Sequence, residues 1–137
     1  MMQPEERREA PRYQVNLSGT ATTNTGYRCN VQVTNISATG LQFTVAQLEL
    51  SRMIPKFAET GGVQPITITL DIDILDQQSP IKIRCGIVYV QRTSMTLGSV
   101  GCRFELFNSD SSRRLEKYLS RTFSLKGSPF LVSHRNE

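Results

Sequence analysis

Two short clusters in this chain could grip an anion that carries a planar ring. The first is Arg7-Arg8-Glu9-Ala10-Pro11-Arg12, with Arg8 and Arg12 four residues apart on a segment that shows no helical pattern. A guanidinium fork binds a phosphate, or the O6/N7 edge of guanine, in bidentate fashion. It can also lie flat on a purine. The second cluster is Asn35-Ile36-Ser37-Ala38-Thr39-Gly40. Asparagine offers a donor and an acceptor and serine a hydroxyl, which suits the polar edge of a base. Two apart on a strand end, Asn35 and Ser37 are expected to share a face. Gly40 allows a sharp turn and a close backbone approach. Each cluster also has a plainer reading. The arginines could form a solvated arm balanced by Glu5, Glu6 and Glu9, and the second cluster could be ordinary turn chemistry.

Other candidates carry less. His134 is the only histidine, so neither a triad nor a metal centre can be built on it. Asp71 and Asp73 alternate onto the polar face of a strand, and with Asp76 they suggest a solvated face rather than a cation site. Cys29, Cys85 and Cys102 are odd in number and form no CxxC pair, as expected for reduced thiols packed in a core. Arg113, Arg114, Lys117 and Arg121 form a basic helix face that meets solvent or a partner. No nucleophile stands beside a base in the pattern. The expectation is a binding module without catalysis, metal or cofactor.

The elements that must position the two clusters follow from periodicity. Residues 1–12 are polar, contain Pro4 and Pro11, and form a flexible arm. Residues 13–125 form the domain. Val15, Leu17, Gly19 and Ala21 fall on one face of a strand, and Asn24-Thr25-Gly26 turns the chain. Cys29, Val31 and Val33 define a second strand ending at Asn35, and Leu41, Phe43 and Val45 a third. Leu48, Met53, Phe57 and Ala58 suggest a short helix cut by Pro55. Ile66 to Ile74 alternate strictly with polar residues, and Ile81, Ile83, Cys85, Ile87 and Tyr89 continue the pattern, with Gly86 as a bulge. A last strand opens at Gly98, with Val100, Cys102, Phe104 and Leu106 inward. Asn108 or Ser109 caps a helix whose apolar face is Leu115, Tyr118, Leu119, Thr122 and Phe123. Residues 126–137 are a tail. Strands joined in sequence by hairpins favour a mainly β fold, a six-stranded antiparallel barrel with a C-terminal α-helix.

A chain of 137 residues, 38% of them hydrophobic, holds one core. No apolar run approaches the roughly 18 residues of a membrane span, and MMQPEERREAPR lacks the apolar centre of a signal peptide. Membrane insertion is excluded, and a cytoplasmic location is expected. From Asp110 onward six basic and three acidic residues give +3 of the total +4, so the body is almost neutral. That is too sparse for a protein that coats long nucleic acid. A single-strand binder would also want an aromatic platform, and Trp is absent.

RxxxR followed by [DN]xSxxG resembles the signature of the PilZ family. Both halves are intact, as Arg8-Glu9-Ala10-Pro11-Arg12 and Asn35-Ile36-Ser37-Ala38-Thr39-Gly40, in the family's order. Gly98-Ser99-Val100-Gly101-Cys102-Arg103-Phe104 is similar to the family's last barrel strand, so the resemblance covers roughly residues 6 to 125. It implies a PilZ-type barrel that binds cyclic di-GMP. Arg8 and Arg12 would contact phosphates and guanine faces, Asn35 and Ser37 would read a guanine edge, and Gly40 would shape the turn. Arg7, just before the first motif arginine, implies an intercalated pair of ligand molecules. The family acts on motility, exopolysaccharide synthesis, pili and virulence, so an unidentified downstream protein is expected to read the ordered arm in trans. The alternative is a nucleotide-independent adaptor with the same fold, against which the retained arginines speak. The stretch 46–62 is longer than a plain barrel needs.

Overall fold

The computed structural model describes residues 11–54 and 66–123. Arg7 and Arg8, Phe57 and Ala58, and the tail lie outside the described residues. The elements are β1 (Tyr13–Thr23), β2 (Arg28–Ile36), β3 (Gly40–Ala46), α1 (Gln47–Met53), β4 (Thr67–Ile72), β5 (Ile81–Arg92), β6 (Leu97–Phe107) and α2 (Ser111–Phe123). The six strands close into a barrel in the order β1-β2-β3-β6-β5-β4, and every pairing is antiparallel.

The strands do not all follow one another by hairpins, as the sequence suggested. β3 runs into α1 and pairs with β6, while β1 pairs with β4. The barrel is therefore two three-stranded meanders joined along two seams. Closure leaves no unpaired edge.

Alternation fills the interior as expected for a period of two. Leu17, Ala21, Val33, Leu41, Phe43, Ile68, Leu70, Ile72, Ile81, Ile83, Cys85 and Val100 are buried. Each large aliphatic or aromatic side chain among them contributes about 1.5–3 kcal/mol on leaving water. Leu50 and Met53 of α1 and Leu115 and Leu119 of α2 complete the core.

The departures from alternation are local. Val33 pairs with Phe43 and Asn35 with Gln42, so Thr34 has no partner across β2–β3. Ile87 pairs with Cys102 and Tyr89 with Gly101, leaving Val88 unpaired. Cys85 pairs with Phe104 and Arg84 with Leu106, leaving Glu105 unpaired. Each extra residue reverses the facing of those beyond it. Leu106, expected inward, is 62% exposed, and Tyr89, expected inward, turns to the outer face. Gly86, expected as the bulge, instead pairs with both Thr67 and Arg103.

α2 is fastened at several points. The Ser111 hydroxyl accepts the Lys82 N–H at 2.9 Å. The Arg114 fork donates to both oxygens of Asp76, each at 2.9 Å, which ties the β4–β5 loop to the helix. Phe123 stacks on Tyr13 with ring centroids 4.6 Å apart. The helix starts later than its expected cap. Asn108 and Ser109 form the turn before it, Ser109 at φ 55° and the Asn108 carbonyl accepting the Ser111 N–H, and Asp110 flanks the first turn.

Candidate functional site

The connection between β2 and β3 is only Ser37-Ala38-Thr39, and Ser37 organises it. Its N–H donates to the Gly40 carbonyl at 2.8 Å. Its hydroxyl oxygen accepts the N–H groups of Thr39 and Gly40, both at 3.2 Å. Serine can close a turn on its own backbone in this way, standing in for a peptide group. The side chain is 2% exposed. Ser37 lies past the end of the strand, so alternation no longer governs it and it does not share the open face with Asn35.

Gly40 is needed for closeness rather than for an unusual backbone angle. It pairs with Arg103 on β6, and a Cβ there would collide with the Cys102 carbonyl. Phe104 N–H donates to the Thr39 carbonyl at 2.9 Å, so the turn is stitched to β6 as well.

Asn35 is on the outer face because of the unpaired Thr34 before it. Arg12 Nη1 donates to Asn35 Oδ1 at 2.6 Å, joining the two sequence clusters across 23 residues. Asn35 Nδ2 in turn donates to Gln42 Oε1 at 3.0 Å. The same oxygen accepts the Tyr89 hydroxyl at 3.0 Å, and Gln42 Nε2 donates to Ser99 Oγ at 2.6 Å. The cross-strand register places Gln14, Asn35, Gln42, Gly101 and Tyr89 in one row over β1, β2, β3, β6 and β5. Arg103 is exposed one step along β6, paired with Gly40 and Gly86. The surface combines cationic forks, amide edges and a ring.

Sequence reasoning missed Gln42, Ser99 and Tyr89. Gln42 and Ser99 occupy outward positions and could have been found by pairing β3 with β6. Tyr89 could not, because its facing depends on the bulge at Val88. Of the expected residues, Arg12 and Asn35 touch, and Ser37 and Gly40 shape the turn beside them.

The other polar groups singled out from the sequence are engaged elsewhere. Asp71 accepts from Lys82 at 2.7 Å, Asp73 accepts the Leu75 N–H at 2.9 Å, and Asp76 holds Arg114. The Arg114 hydrogen bond is the main reason the Asp76 carboxyl is held below its ordinary value of 3.8. Arg113, Lys117 and Arg121 line a cleft of about 480 Å³ between α2 and the β4–β5 loop, whose lining does not include Asn35. Among the described residues no helix is long and apolar enough to cross a membrane.

Comparison with known proteins agrees with this fold. Structural likeness extends to K. pneumonia MrkH in complex with c-di-GMP, with 18% identity and a TM-score of 0.58 over 93% of this chain and 54% of that one. It extends also to the Bacillus subtilis inhibitor of motility MotI/DgrA, with 14% identity and a TM-score of 0.60 over 89% of this chain and 56% of that one. The chain thus spans about half the length of these two proteins. The PilZ domain of YcgR from Escherichia coli, solved with c-di-GMP, matches at 11% identity and a TM-score of 0.58, over 85% of this chain and 90% of that one. No curated protein matches the sequence. The PilZ domain model matches residues 6–121, and the chain belongs to the PilZ domain family.

Proposed function

We propose that this domain is a receptor for cyclic di-GMP. The observation that carries the reading is the Arg12–Asn35 hydrogen bond, which brings one residue of each sequence motif together on the outer surface. MrkH and the YcgR domain, which share the fold, are solved with that ligand. Arg8 and Arg12 bind phosphates and guanine faces, and Asn35 reads a guanine edge with its amide. Ser37 and Gly40 act by fixing the turn on which Asn35 stands. Arg7 contributes to a second, intercalated ligand.

Binding fixes the part of the arm that carries Arg7 and Arg8 against the outer face where Arg12 already stands, a switch that consumes part of the binding energy. Arg12 is followed directly by Tyr13, whose ring rests on Phe123 at the end of α2. Ordering of the arm is therefore felt at the helix, where a downstream protein reads it.

Isothermal titration calorimetry with cyclic di-GMP, and GTP as control, tests this. Saturable binding of cyclic di-GMP alone is expected, and two ligands per chain would support the role of Arg7. Absence of both heat and thermal shift would overturn the reading in favour of a nucleotide-independent adaptor.

A further inference from the structure

Tyr89 lies on its neighbour in an unusual way. The place where a Cβ would stand on Gly101 is nearly equidistant from ring atoms Cδ2 and Cζ, at 2.6 and 2.5 Å, with Cε2 closer still. Such distances put that place off the face of the ring, so the phenol lies flat over the glycine and not edge-on. Any other residue at 101 would lift it. One face of the ring is thus spent on the backbone, yet the residue is still 38% exposed, which leaves the opposite face toward solvent. Its hydroxyl is tied to Gln42 Oε1, the atom that also holds the Asn35 amide. Gln42 is itself fixed by its bond to Ser99, which is 1% exposed.

A flat aromatic ring beside the donor and acceptor of an oriented amide is suited to a planar base. The ring supplies a stacking surface that does not discriminate among bases, and the amide supplies the edge recognition that does. Resting on the receptor reading above, we infer that Tyr89 is a further ligand-binding residue, the platform on which a purine of the bound dinucleotide stacks. Gln42 is the positioning residue that fixes both this platform and Asn35. The site then spans four strands, from Asn35 on β2 to Tyr89 on β5, rather than ending at the β2–β3 turn.

The test titrates the full chain, Tyr89→Leu, Tyr89→Phe and Gln42→Leu with cyclic di-GMP and with cyclic di-AMP. The chain has four tyrosines and no tryptophan, so tyrosine emission reports stacking directly. Cyclic di-GMP is expected to quench the unmutated protein. Tyr89→Leu should lose most of that quench and bind about tenfold or more weakly, the scale of one base–aromatic stack. Its preference for guanine over adenine should be unchanged. Tyr89→Phe keeps the ring and should stay within about threefold, since it loses one neutral hydrogen bond. Gln42→Leu should narrow the preference between the two dinucleotides, a change that a purely structural role would not produce. Thermal melting of the free variants checks the fold. If Tyr89→Leu does not fold, Tyr89→Trp supplies the reading, with tight binding and an indole emission that shifts on adding ligand. If the unmutated chain binds while Tyr89→Leu binds equally well with full quench, the platform is overturned and the receptor stands. If the unmutated chain binds no cyclic di-GMP, the receptor reading falls and takes the platform with it.

Discussion

Asn35 shows how a single residue's role depends on its neighbour. Parity with Cys29, Val31 and Val33 would point it inward, and the unpaired Thr34 turns it out, leaving Ile36 buried in its place. Arg12 and Asn35 could be singled out in the sequence because arginine forks and amide edges declare their chemistry, whereas Gln42, Ser99 and Tyr89 were missed. The facing of Asn35 and Tyr89 was not legible, because a bulge leaves no compositional mark in Val33-Thr34-Asn35 or Ile87-Val88-Tyr89. Arg12→Ala removes an exposed contact, so it should greatly weaken cyclic di-GMP binding while leaving the melting temperature of the free protein nearly unchanged. A large drop in that temperature would show that Arg12 holds the fold instead. Gly40→Ala behaves in the opposite way. The new methyl meets the Cys102 backbone carbonyl, which cannot swing aside, and urea denaturation should show a loss of about 1–3 kcal/mol. Ser37→Ala removes the acceptor of two turn N–H groups and should cost about 1 kcal/mol by the same measurement. Its effect on ligand binding should follow from the loosened turn.

At the scale of elements, α2 illustrates what periodicity can and cannot deliver. The spacing of Leu115 and Leu119 marked the buried face correctly, and both are at most 3% exposed. The bond from Arg114 to Asp76 spans 38 residues and depends on where the β4–β5 loop ends up, which no local pattern encodes. With the Asp76 carboxyl held below 3.8 in the folded protein, chiefly by Arg114, its contribution is complete above that value. It is lost as pH falls through the lower folded value. Acid titration of the melting temperature should therefore fall more shallowly in Arg114→Ala than in the unmutated protein. Equal slopes would mean that the pair adds nothing to stability. Leu119→Ala, in a site with no exposure, should cost about 2–5 kcal/mol.

For the whole molecule, strand count and barrel closure could be anticipated from alternation, whereas strand order could not. The crossing from β3 to β4 runs through α1 and the stretch after it, and local patterning does not specify which strands become neighbours once a connection is long. Closure also encloses the sulfur atoms, since Cys29, Cys85 and Cys102 are all buried. Burial raises the Cys29 thiol from 9.0 to about 11. The folded state therefore favours the neutral thiol, and stability should decline as pH rises from 9.0 towards 11. Below that range, labelling with a thiol reagent should track opening of the barrel and slow when ligand is added. Labelling as fast as in a short peptide would contradict the burial of all three.

The two meanders meet along β3–β6, and the hydrogen bond from Gln42 to Ser99 already crosses that line. A molecule lying from Asn35 to Tyr89 would cross it too, like a rivet through two plates. Pulled apart across this line, with the force applied at β3 and β6, the two halves would have to shear the joint, so occupancy should register as an increase in rupture force.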